Sequence, residues 1–97
     1  MKYSFHPLAV AELNDAIDYY EELQSGLGLE FAKEVFSSIQ RVTEFPTAWS
    51  SLSQNTRRCL VNRFPYGIIY QILKNEILII AVMQLNRKPS YWENREE

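Results

Sequence analysis

The stretch from Arg57 to Leu85, RRCLVNRFPYGIIYQILKNEILIIAVMQL, decides the fold. It divides into three runs rich in β-branched and aromatic residues: Arg58 to Phe64, Tyr66 to Leu73 and Ile77 to Leu85. Such residues suit a pleated, half-buried backbone. Phe64-Pro65-Tyr66 and Lys74-Asn75-Glu76 separate the runs and supply the turn chemistry. Three strands on short turns predict an antiparallel meander. In the last run Ile77, Ile79, Ala81, Met83 and Leu85 fall on one face, and Leu78, Ile80 and Val82 on the other. A sheet with one wet face alternates apolar with polar. Here both faces ask for cover. Helices can cover one. The other needs the chain's own tail, a partner, or a second copy in a homodimer.

The period changes on the N-terminal side. Between Leu8 and about Ser25, Ala9, Leu13, Ala16, Ile17 and Tyr20 recur at helical spacing, and Glu12, Asp15, Asp18 and Glu22 fall on a wet face. Pro7 suits the first turn of that helix, where its missing N–H has no helical partner to lose. Gly26 tolerates the left-handed conformation that ends a helix. A second helix is predicted over Leu29 to Glu44, with Phe31, Ala32, Val35, Phe36, Ile39 and Val42 inward and Pro46 as its stop. The short link implies an antiparallel helical hairpin. Lys2 to His6 reads as a short strand at a sheet edge. Thr47 to Asn55 reads as a polar loop pinned by Trp49 and Leu52, and Arg87 to Glu97 as a polar tail with one helical turn. The fold class is α+β in the order β-α-α-β-β-β, a single domain over 1–97 with a helical hairpin on a small antiparallel sheet.

The 97 residues leave room for one modest core. The net charge of -2 conceals an asymmetry: residues 1–56 carry eight acids and three bases, residues 57–97 four acids and seven bases. Any phosphate contact therefore belongs to the second half, while the acidic total argues against broad nucleic-acid binding. Cys59, the one cysteine, excludes an internal disulfide. No run is long enough for a signal peptide or a membrane span, so no membrane association and a cytoplasmic location are expected. One histidine and one cysteine without ligand spacing give no metal site, and no cofactor is expected. His6 reads as a helix cap or packing residue and Cys59 as a small buried apolar one.

The candidate site is cationic and aromatic. Arg57 and Arg63, six apart, share a face in a regular strand, and Arg58 points the other way. Arg87, Tyr91, Trp92 and Arg95 follow the last strand. Guanidiniums beside aromatic rings can clamp phosphate and stack a base. The competing reading has Tyr91 and Trp92 anchoring the tail on the sheet, with the arginines as surface charges.

The run Arg57-Arg58-Cys59-Leu60-Val61-Asn62-Arg63-Phe64-Pro65-Tyr66-Gly67-Ile68-Ile69-Tyr70 resembles the core of RelE/ParE toxins of type II toxin–antitoxin systems. Ile79-Ile80-Ala81-Val82 with Arg87-Lys88-Pro89-Ser90-Tyr91-Trp92 and Arg95 is similar to that family's ending. Pro7-Leu8-Ala9, Glu12-Leu13, Ala16, Tyr19-Tyr20, Gly26-Leu27-Gly28 and Phe31 are similar to its helical hairpin. The resemblance covers about residues 3 to 95 and lies closer to the ParE branch. It implies a growth-inhibiting toxin neutralised by a cognate antitoxin across its surface. ParE-like members poison DNA gyrase by binding. RelE-like members are mRNA interferases that cut message in the ribosome without a metal.

Histidine is common among relatives at the position of Gln84, which cannot exchange a proton near neutral pH. A RelE-like lysine cluster is also missing: Lys74 and Lys88 are the only lysines of the second half. As a ribonuclease, the chain would use Arg58, Arg63, Arg87 and Tyr91 for catalysis, with Arg57, Trp92 and Arg95 holding the target or RNA. Three expectations follow: a binding inhibitor of gyrase, a ribosome-dependent mRNA endonuclease, or an inactive toxin-like interaction module.

Overall fold

The computed structural model describes residues 1–97. Its elements are β1 (Lys2–Phe5), α1 (Pro7–Leu23), α2 (Leu27–Glu44), β2 (Ser50–Ser51), β3 (Thr56–Leu60), β4 (Tyr66–Ile72) and β5 (Glu76–Gln84), closed by a 3₁₀ turn at Glu93–Arg95. The His6 imidazole caps α1, its Nδ1 accepting from the Leu8 N–H at 3.1 Å. Gly26 sits at φ +87° between the helices. Gly28 lets them touch: a Cβ there would stand 2.6 Å from the Ile17 carbonyl oxygen. Glu21 of α1 accepts from the N–H groups of Gly26 and Gly28, placing a negative charge at the start of α2, where the helix dipole favours it.

The two helices pack on a five-stranded sheet of order β1-β5-β4-β3-β2. The sheet is mixed. β2 to β5 pair antiparallel, while β1 runs parallel to β5 from Lys2↔Glu76 to Phe5↔Ile79. Ser50 and Ser51, in the predicted loop, pair with Arg58 and Arg57 as a short outer strand. β3 stops at Leu60 rather than at Phe64. The chain folds back there, with the Val61 N–H donating to the Tyr66 carbonyl at 2.9 Å and Arg63 at φ 72°.

The faces of β5 also differ from strict alternation. Ile69 pairs with Ala81 and Tyr70 with Ile79, so Ile80 is an extra residue in the ladder. Such a bulge inverts side-chain parity beyond it. Ile77, Ile79 and Val82 therefore face the helices, while Leu78, Ile80, Ala81 and Met83 face the other way. The main core lies between helices and sheet. At one end, Tyr20, Phe31, Phe64 and Tyr66 interlock with several ring centroids 4.9 to 5.1 Å apart. Phe36, predicted inward, is largely exposed and only edges onto Phe5.

The second sheet face is covered by the chain's own tail, with Trp92 buried on Ile69, Leu78, Ile80, Ala81 and Met83. The tail is also latched by polar groups. Thr56 Oγ1 donates to the Glu96 carboxylate, and the Glu97 N–H donates to Gln71 Oε1 at 2.8 Å. No helix is long and apolar enough to cross a membrane.

Candidate functional site

The fold sorts the candidate residues into separate places. Arg57 pairs with Tyr70 and Arg58 with Ile69, so the two arginines lie on opposite faces. Arg57 is on the helix side, where Nη1 donates to the carbonyls of Thr47 (3.2 Å) and Trp49 (2.8 Å) and ties down the loop after α2. Because β3 ends before it, Arg63 does not share a strand face with Arg57. It lies in the β3–β4 connection, half-exposed, with Nη2 2.8 Å from Glu30 of α2.

Arg87, Tyr91 and Arg95 converge on Glu12 of α1. β1 ends at Phe5 because the helix starts at Pro7, so β5 continues past Ile79 with no strand on that side. Its edge groups there still need partners. Arg95 Nη1 donates to the Ile80 carbonyl at 2.9 Å, and Glu12 Oε1 accepts from the Val82 N–H at 3.0 Å. Arg95 also grips Glu12 with both terminal nitrogens, at 3.0 and 3.2 Å. The Tyr91 hydroxyl donates to Glu12 Oε2 at 2.7 Å. Arg87 stands 3.6 Å from the same oxygen and stacks on the Tyr91 ring, 3.8 Å from its centroid. Glu12 is thus no wet-face acid; it joins α1, the β5 edge and the tail. Burial, and then the bond to Glu12, pushes the Tyr91 phenol well above the ordinary tyrosine pKa. Near neutral pH it holds its proton and donates.

Beside this cluster a groove of about 270 Å³ is lined by Gln84, Arg87, Glu12, Asp15, Tyr19 and Tyr66, among others. Gln84 is exposed there and offers an amide. Arg58 and Trp92 meet elsewhere, on the tail-covered face. They line a second cavity, of about 290 Å³, with Leu52, Met83 and Pro89, the hydroxyls of Ser53 and Ser90, and the acids Glu93 and Glu96. Cys59 is fully buried, and burial raises its thiol pKa. No three His, Cys, Asp or Glu side chains come together in a way that could hold a metal ion.

Phosphodiester cleavage by side chains needs a proton acceptor and donor at one phosphate, beside cations that stabilise its charge. Arg58, Arg63 and the Arg87–Tyr91 pair stand in three different settings, and the phenol among them is committed to Glu12. These candidates offer cationic and aromatic surface, and the one phenol among them is held as a donor to Glu12. Glu12, Thr56 and Gln71 were not singled out by the sequence. No local signal marks them, because the partners that engage them come from the distant tail: Tyr91 and Arg95 for Glu12, Glu96 for Thr56 and Glu97 for Gln71.

A family model described as ParE toxin of type II toxin-antitoxin system, parDE, matches residues 3–89. Among solved structures, one described as a chromosomal ParDE TA system from P. aeruginosa superposes with a TM-score of 0.74. It covers 89% of this chain and 97% of that chain at 16% identity, a likeness of fold. No curated protein matches the sequence.

Proposed function

This chain belongs to the ParE toxin family of type II toxin–antitoxin systems, and from that premise we propose that it arrests growth by binding DNA gyrase in the cytoplasm, and that a cognate antitoxin neutralises it. The observation that carries the choice of binding over catalysis is the engagement of Tyr91. The one candidate acid–base group of the set donates to Glu12 at 2.7 Å and has its pKa raised. Gln84, at the groove beside Arg87, cannot replace it as a proton carrier. The choice of gyrase rests on the ParE branch, whose members poison that enzyme. The test is supercoiling of relaxed plasmid by purified gyrase with increasing protein. Inhibition that the antitoxin reverses is expected, and unaffected supercoiling at high excess removes gyrase as the target.

One observation favours a second reading. The Arg87 guanidinium is half-exposed, stacked on an aromatic ring and open to the groove, an arrangement that suits a phosphate beside a base. A ribosome-dependent mRNA endonuclease would use it. Primer extension on translated message would then show codon-positioned cuts that vanish in Arg87→Ala.

A further inference from the structure

We propose that the cavity beside Arg58 is a docking site for the antitoxin, receiving a carboxylate side chain carried on an otherwise apolar segment of that protein. The inference rests on the reading above that an antitoxin neutralises this chain, and it assigns the surface and chemistry of that contact.

Arg58 is the arginine without a partner. Arg41 bonds to Ser37 and Ser38, Arg57 to two carbonyls, Arg63 to Glu30, and Arg87 and Arg95 pair with Glu12. Arg58 is half-buried, makes no ion pair, and its Nε is buried with no acceptor. Its setting is built. The stem lies across Gly67, where an added Cβ would come within 3.1 Å of its Cγ and Cδ. The cavity beside it has Met83, Trp92, Leu52 and Pro89 as apolar walls. The same sheet face runs on past Gly67 to Leu60, its cross-strand partner, 51% exposed, and to Leu85, 38% exposed. The tail covers the sheet only as far as Trp92 and leaves this shelf open.

A partly desolvated guanidinium that no carboxylate of the chain contacts can seat one from a partner, which can take two of its donors at once. Apolar walls and an apolar shelf suit hydrophobic side chains on either side of that acid. Glu93 and Glu96 at the same cavity distinguish a peptide from a nucleic acid. They repel a chain with a charge at every phosphate far more than a segment whose single acid is seated on Arg58. Glu96 is already held by Thr56 and Ser53, and Glu93 can accept a backbone N–H, which a peptide brings and a phosphodiester does not. A protein partner presenting one acid among apolar residues fits all these features, and the partner implied by a type II system is the antitoxin.

The test is the affinity of the purified antitoxin encoded beside this gene, measured by isothermal titration calorimetry. It is applied to the wild type, Arg58→Gln, Arg58→Lys and, as a remote control, Lys74→Gln. Arg58→Gln is expected to weaken binding by about 30-fold or more, since it strips one member from a desolvated charge pair. Arg58→Lys should fall between, and Lys74→Gln should stay within twofold. Because Arg58 has no internal partner, Arg58→Gln should keep the wild-type circular dichroism spectrum and melting midpoint. Arg58→Glu should regain affinity when the antitoxin's contacting acid is changed to lysine. Arg58→Gln binding within twofold of wild type overturns the pocket and leaves the toxin reading intact. A wild-type protein that binds no antitoxin overturns both. A concentration-dependent dimer lost in Arg58→Gln, with antitoxin binding unchanged, assigns the surface to a second copy and overturns the proposal.

Discussion

Ion pairs that look alike in the sequence differ sharply in weight. Arg63–Glu30 is half-exposed on both sides, so Glu30→Gln should change stability by less than about 1 kcal/mol. Glu12 is only 15% exposed and holds Arg95, whose side chain is 9% exposed. Removing that acid strands a buried guanidinium and unpairs the Tyr91 hydroxyl and the Val82 N–H. Glu12→Ala should therefore cost about 3–5 kcal/mol in urea unfolding. Periodicity placed Glu12 on a wet face because it considers only the residue's own helix. The partners are brought by a tail more than seventy residues away. Tyrosines give a pH signature. Burial pushes Tyr70, whose hydroxyl donates to the Pro46 carbonyl, up to about 12. A raised tyrosine pKa means the fold favours the neutral phenol. Its stabilising contribution is complete below the unfolded value of about 10 and is lost as pH rises from there toward 12. Stability should fall above about pH 10 by up to about 1.4 kcal/mol per pH unit for each such tyrosine. Tyr70→Phe should make that decline shallower in denaturant melts across the alkaline range, from a lower plateau because the bond to Pro46 is gone.

Elements with strong internal periodicity were legible, and those defined by partners were not. Both helices followed from apolar spacing and from Pro7, Gly26 and Pro46. β4 and the body of β5 followed from their β-branched runs. β2 was missed because two serines have no strand signature; they form a strand by pairing with Arg57 and Arg58. The bulge at Ile80 was invisible because Ile79, Ile80, Ala81 and Val82 are all apolar, so neither face assignment left a polar residue misplaced. Both faces of β5 did ask for cover, and the tail supplies it for the second. Trp92→Ala should cost about 3–5 kcal/mol and open Ile69, Ile80 and Met83, read as a lower melting midpoint and increased binding of a hydrophobic dye. At the other end of the hairpin, Gly28→Ala forces a methyl against the Ile17 carbonyl. It should destabilise by about 1–3 kcal/mol, visible in the same melts.

At the scale of the whole molecule, the charge asymmetry of the sequence is drawn inward. The basic second half meets the acidic first half through Glu12 and Glu30, while Arg57 is used on loop carbonyls. Arg58 alone among the arginines makes neither an ion pair nor a hydrogen bond. The list of candidate arginines and aromatics was readable from the motif order. Their division among a loop tether, an exposed ion pair, a buried hub and an open cavity was not, because it depends on where β3 ends and where the tail lies. If the toxin acts by presenting surface, as proposed above, its potency should saturate with target rather than accumulate with time. The most direct measurement is a titration of purified protein into gyrase supercoiling relaxed plasmid, at several enzyme concentrations. Inhibition is predicted to follow the ratio of protein to gyrase and to be reversed by added antitoxin. Full supercoiling at hundredfold excess, with translated message cut at codon-positioned sites by the same preparation, would contradict the account.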